Sequence, residues 1–182
     1  MKKAVFWIAG VLTCAALLVS AFVAYNSLTS IYSPETPSQA TGSEATPAPD
    51  FVVYDADGNP VTLSQLRGKP VVINAWATWC SFCVDEMPYF DVMAQTYGDQ
   101  VHFMMINLTT QDDLEAAQAF IADTGYSFPV YYDTDGMVSG TYPVSSIPVT
   151  FFVDANGNYM GGYSGQIPES VLENNIVALL SN

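Results

Sequence analysis

The residues Val71-Val72-Ile73-Asn74-Ala75-Trp76 form an apolar run of strand length, and the chain passes from it almost at once into Trp79-Cys80-Ser81-Phe82-Cys83. Such a run reads as a strand buried on both faces of a sheet. Beyond Cys83, the residues Met87, Phe90, Met93, Ala94 and Tyr97 recur at helical spacing as far as Gly98, with Pro88 placed to bend the helix near its first turns. The C-x-x-C pair is thereby set at a strand-to-helix junction. A thiol at a helix start faces free backbone N–H groups and the positive end of the helix dipole, so its thiolate is favoured and its pKa falls below that of an ordinary cysteine. Two sulfurs at this spacing can close a small disulfide ring and reopen it, which points to thiol-disulfide exchange.

The remaining folded part alternates strands and helices. Phe51–Tyr54 and Val61-Thr62 flank Asp55-Ala56-Asp57-Gly58-Asn59 and predict a β-hairpin, followed by a helical turn over Leu63–Arg67. Val101–Ile106 predicts the next buried strand. Thr110-x-x-Asp113 resembles a capping box opening a helix through Leu114, Ala117, Phe120 and Ile121 that ends near Gly125. Pro129–Tyr132 predicts a short strand, and Val149–Val153 with Tyr159–Gly162 a hairpin around Asp154-Ala155-Asn156-Gly157-Asn158. A helix over Pro168–Leu180 closes the chain. This order implies an α/β fold with a central mixed β-sheet flanked by helices.

With 182 residues, half of them hydrophobic, the chain has material for one core and short appendages. Lys2 and Lys3 precede Ala4–Tyr25, a stretch without charged side chains that is long enough to cross a bilayer. Positive charge before the span and none shortly after it places everything beyond Tyr25 outside the cell membrane. Residues 1–25 read as a single N-terminal transmembrane anchor, because the apolar run exceeds the usual core of a signal peptide; a cleavable signal peptide is the alternative. Residues 26–48, rich in Ser, Thr, Pro and Ala, read as a flexible tether, and residues 49–182 as the folded domain.

Beyond the tether, sixteen Asp or Glu residues stand against only Arg67 and Lys69, which disfavours nucleic acid as a partner. An acidic surface favours basic or neutral partners by steering. Past the leader the only cysteines are Cys80 and Cys83, too few to staple a scaffold, so the pair reads as a working one. Only His102 could join them around a metal, and it lies in a strand pattern, which leaves a zinc site short of ligands.

Asp50-Phe51, Leu63-x-x-Leu66-Arg67-Gly68-Lys69, Asn74-Ala75-Trp76-Ala77-Thr78-Trp79-Cys80-x-x-Cys83, Glu86-Met87-Pro88, Phe128-Pro129-Val130, Ile147-Pro148 and Phe151-Phe152-Val153-Asp154-x-x-Gly157 resemble successive landmarks of the TlpA/ResA-like thioredoxin-fold proteins. The resemblance runs from about Pro49 to Ile176. It implies a thioredoxin-like domain with an N-terminal β-hairpin extension, tethered to a bacterial cell membrane and facing its extracytoplasmic side. It implies Cys80 as the nucleophile and Cys83 as the resolving cysteine of a Cys80–Cys83 disulfide, with Glu86 as an acid/base modulator. Pro148 takes the place of the family's cis-proline, which packs against the cysteine pair and exposes the Ile147 backbone to an extended client. Trp79 and Ile147 are candidate client contacts, and the Phe82 ring, which has no counterpart in the family pattern, adds apolar contact surface for clients. No cofactor beyond the redox-active disulfide is implied. The implied partners are exported proteins with disulfides or thiols and a membrane electron donor of the thiol-relay type, with cytochrome c maturation or repair of oxidised thiols and methionine sulfoxide reductases as roles.

Two positions depart from the family pattern: Phe82 stands where proline usually precedes the second cysteine, and Val149 where threonine is common after the cis-proline. A competing enzyme of the same fold, a peroxiredoxin, needs Pro-x-x-x-Thr-x-x-Cys, and the corresponding residues before Cys80 are Ile73 and Ala77. A non-catalytic thioredoxin-like binding module, with an idle cysteine pair, is the third reading.

Overall fold

The computed structural model describes residues 45–181. The anchor over residues 1–25 and most of the tether lie outside the described residues. Among the described residues no helix is long and apolar enough to cross a membrane.

The run that opened the sequence is strand β3 (Val71–Trp76), and all six of its residues are buried. It lies inside a seven-stranded sheet with β1 (Val52–Tyr54), β2 (Pro60–Thr62), β4 (His102–Asn107), β5 (Val130–Tyr132), β6 (Val149–Val153) and β7 (Tyr159–Ser164), in the order β2-β1-β5-β4-β3-β6-β7. Strand β3 pairs in parallel with β4 and antiparallel with β6, so the sheet is mixed. Helix α1 (Ser81–Tyr97) links β3 to β4, and α2 (Leu114–Thr124) links β4 to the parallel β5. Two successive crossovers of one hand stepping in the same direction must lie on the same face of the sheet. Helix α4 (Glu169–Leu180) joins them there.

The alternation of β3 divides the core. Val72 and Trp76 point into a layer with Cys83, Met87, Phe90, Ala117, Leu172 and Ile176, the inner faces of α1, α2 and α4. Ile73 and Ala75 point the other way, onto Phe51, Leu63, Val138, Tyr142 and Phe151. The second layer is roofed by the 3-10 turn Leu63–Leu66 and by the short helix α3 (Met137–Thr141). The thioredoxin-like arrangement with a leading hairpin, read from the sequence, is present.

Two local readings change. Thr110 does not cap α2: it lies in a 3-10 turn, Thr109–Gln111, and Asp113 is the cap, its Oδ1 accepting from Ala116 N at 2.8 Å. Helix α3 has no counterpart in the sequence reading, because five residues carry no usable periodicity. It begins where buried Asp133 accepts from the N–H groups of Val138 and Ser139. The expected hairpin of β6 and β7 forms, and its loop Asp154–Asn158 is held by Asp154 Oδ1, which accepts from Asn156 N and Asn158 N. Gly157, at φ 86°, faces the Arg67 side chain, where an added Cβ would come to 2.8 Å from Nε.

Candidate active site

Strand β3 delivers the chain to the sheet edge, and Thr78-Trp79 turn it into α1. Asp112 ties this turn down: its carboxylate accepts from Thr78 N and Thr78 Oγ1, each at 2.6 Å, and from Asn107 Nδ2 at 2.8 Å. Burial pushes the Asp112 carboxyl up, but the bonds from Thr78, Asn107 and the Asp113 N–H outweigh it and hold the group below its ordinary range. Nothing in the sequence marked Asp112, since the turn it fastens, at Thr78, lies 34 positions away along the chain.

Cys80 is the N-cap of α1, and its Sγ accepts from Cys83 N at 3.2 Å. The sulfur therefore occupies the place of the oxygen in an ordinary cap and meets the free N–H groups of the first turn. Cys80 and Cys83 form a closed disulfide with S–S 2.10 Å and Cα–Cα 5.3 Å. Cys80 keeps 6% of its surface exposed and Cys83 none. Any external sulfur or thiolate must enter through Cys80.

The surroundings are apolar and open. Trp79 and Phe82 bracket Cys80 in sequence and are 61% and 62% exposed. Trp79 is not loose, because its Nε1 donates to Gln111 O at 2.9 Å. Ile147 is half-buried at the meeting of the two core layers, its bond to buried Pro148 is cis, and Pro148 O accepts from Gly165 N at 2.9 Å. A hollow lined by residues that include Asp50, Arg67, Lys69, Asp154 and Gly157 lies at the opposite end of β3 from the cysteines.

Glu86, the sixth residue of α1, departs from the ordinary expectation for an acid near a helix start, which is a solvated partner for the helix dipole. It is fully buried. Its Oε1 accepts from Asn74 Nδ2 and its Oε2 from Ile167 N, both at 2.7 Å. Burial pushes its carboxyl up to about 7, against the opposing pull of the Ile167 N–H and then the Asn74 amide. A buried group that exchanges a proton near neutrality, one turn along the helix from Cys83, is suited to supply and remove protons during sulfur exchange. Asn74 in turn donates to Thr150 Oγ1 at 3.2 Å, its registered partner on β6. Neither Asn74 nor Thr150 was singled out as a site residue; the available signal was an amide inside an otherwise apolar strand.

The arrangement has known counterparts. The profile described as the AhpC/TSA family matches residues 45–159. The thiol-disulfide oxidoreductase ResA of Bacillus subtilis (strain 168) is 35% identical over 131 residues, covering 71% of this chain and 72% of ResA. ResA of Geobacillus kaustophilus (strain HTA426) is 31% identical over 168 residues, 92% of this chain and 93% of that protein. Among solved structures, a thiol:disulfide interchange protein of the thioredoxin family from Chlorobium tepidum TLS superposes with TM-score 0.67 at 26% identity, over 77% of this chain and 99% of that one. With half the chain and more inside the family profile, and ResA proteins above 30% identity along most of its length, this chain belongs to the AhpC/TSA family and, within it, to the ResA-like thiol-disulfide oxidoreductases.

Proposed function

We propose that the protein is a membrane-tethered, extracytoplasmic reductant of disulfides in exported proteins, serving cytochrome c maturation or the repair of oxidised thiols and methionine sulfoxide reductases. The observation that carries this reading is the asymmetry of the pair: Cys80, on a helix N-cap, keeps 6% of its surface exposed, while Cys83 is fully buried three helical residues before a buried carboxyl. In the dithiol form the Cys80 thiolate attacks a client disulfide; the client S–S bond breaks, a mixed disulfide forms, and one client thiolate leaves. Cys83 gives its proton to the Glu86 carboxylate and attacks Cys80 Sγ. The Cys80–Cys83 bond closes, the second client thiolate departs, and the client has gained two electrons. A membrane electron donor of the thiol-relay type restores the dithiol.

Trp79 and Phe82 supply apolar contact for a client, and the Ile147 backbone before the cis bond is the place for an extended segment to pair. The family profile also bears on peroxidase chemistry, but the positions where a peroxidatic Pro and Thr would stand hold Ile73 and Ala77, both buried and apolar. Peroxide reduction is therefore not part of the reading.

The test is insulin reduction by the dithiol protein together with its reduction potential. Turnover lost in Cys80→Ser, with a potential near or below about −270 mV, supports a reductant; a potential near about −120 mV reverses the direction of the reaction. Equal inactivity of wild type and Cys80→Ser would instead favour the binding module. Mixed disulfides trapped on Cys83→Ser in membranes identify the client.

A further inference from the structure

Two buried side-chain polar atoms among the described residues have no hydrogen-bond partner, Asn74 Oδ1 and Trp76 Nε1, and both sit on the face of β3 that carries the cysteines' core layer. An unpartnered buried acceptor is costly, and in a native protein it calls for a reason. Asn74 is the more informative, because the other end of the same amide is fully used: Nδ2 donates to Glu86 Oε1 at 2.7 Å and to Thr150 Oγ1 at 3.2 Å.

We infer that Asn74 is a positioning residue of the exchange reaction, whose amide holds Glu86 as a donor while Glu86 is ionised and, after a half turn about its terminal bond, as an acceptor when Glu86 carries a proton. This rests on the acid/base role of Glu86 under the proposed function. An ionised carboxyl only accepts, whereas a protonated one must also donate, so a partner buried with it has to offer both kinds of group. A primary amide does so at the same position. Thr150, whose hydroxyl both donates and accepts, can follow the turn. The orphaned Oδ1 is then the acceptor held ready for the protonated state, and a leucine or an aspartate at position 74 would serve only one state or neither.

The other groups that face Glu86 cannot take this part. The segment before α4 contributes only the Ile167 N–H, a fixed donor at 2.7 Å. On α1 the titratable neighbours are Cys83 and Cys80 themselves, while Asp85 is exposed; on α4 the first acid, Glu169, is exposed as well. Tyr89 of α1 and Tyr163 of β7 lie at the margin of the same core layer without a bond to the carboxyl. Burial is the largest influence on Glu86, and the two hydrogen bonds, Asn74's among them, are what favour its ionised form.

The resolving step can be watched by itself. Dithiol protein mixed with excess dithiobis(nitrobenzoate) releases one thionitrobenzoate as Cys80 is labelled. A second leaves when Cys83 passes its proton to Glu86 and displaces the label to close the disulfide. The pH profile of that second phase should show an inflection near 7 in the wild type that disappears in Glu86→Gln. Asn74→Leu should move the inflection to higher pH by about one unit and slow the phase about tenfold at pH 6. Asn74→Asp, which is nearly isosteric and safer for folding, should also move it upward, since two facing carboxyls share a proton. In the Glu86→Gln background neither change at position 74 should alter the profile further. An inflection lost in Glu86→Gln but unmoved in both Asn74 variants overturns the role of Asn74 alone, as does a shift that persists without Glu86. An inflection that survives Glu86→Gln overturns the acid/base role of Glu86 and this inference with it.

Discussion

Cys80 caps α1 and Glu86 lies in its second turn, yet their surroundings are opposite: one sulfur keeps a small exposed surface, and one carboxyl is sealed in the core. The burial of Glu86 has a cost that depends on pH. Its carboxyl titrates near 4.5 in the unfolded chain and about 7 in the folded one, so between these values the folded state binds a proton that the unfolded state does not. The stability that the Glu86 proton contributes is therefore fully present below pH 4.5, falls as pH rises through this window, and levels off above 7 at a loss of about 3 kcal/mol. Denaturant melts of the oxidised protein should show this decline, and Glu86→Gln should flatten it and be the more stable protein at pH 8. Phe82 is the reverse case, a large ring that the fold does not need. Phe82→Ala should leave stability within about 0.5 kcal/mol and slow reduction of a protein disulfide severalfold, while reaction with a small disulfide such as oxidised glutathione stays near wild type.

At the scale of elements, the strand-to-helix junction was legible because it is local. An unbroken apolar run, a Cys pair and a helical repeat are all contained in some thirty residues, and each became the expected element. What fastens the junction was not legible. Asp112 reaches Thr78 across 34 positions and Glu86 reaches the Ile167 N–H across 81, distances over which a single sequence offers no pattern to read. The same limit explains the misplaced cap: Thr110 and Asp113 have the spacing of a capping box, but Asp113 alone caps α2 while Asp112 beside it is drawn into the cysteine loop. Asp112→Ala should release the Thr78-Trp79 turn and leave buried Asn107 Nδ2 without a partner. The expected cost is about 2–3 kcal/mol of stability in a denaturant melt, with a rise in the hydrogen-exchange rate of the Thr78 and Trp79 amides.

For the molecule as a whole, charge is distributed unevenly as well as being strongly negative. The net charge is −14, and the two cations of the described part, Arg67 and Lys69, line the hollow at the start of β3 and not the cysteine end. Exchange with a lysine-rich disulfide peptide should accordingly be fast in dilute buffer and slow as salt is added, and a glutamate-rich peptide should show the opposite trend, the two converging near 1 M where charges are screened within about 3 Å. The fold class and the disulfide pair could be read from pattern and motif because they depend on residue type and spacing. The partners that hold Glu86 could not, because they depend on which buried groups meet. One connection at the far pole has a consequence of its own. Thr46 and Ala48 hydrogen-bond to Tyr159 and Gly157 in the β6–β7 hairpin, beside the first residue of β3, whereas Cys80 follows the last. The polypeptide thus enters its domain at one pole and presents its sulfur at the other, roughly 17 Å of strand away, like a lamp held out at the end of a bracket.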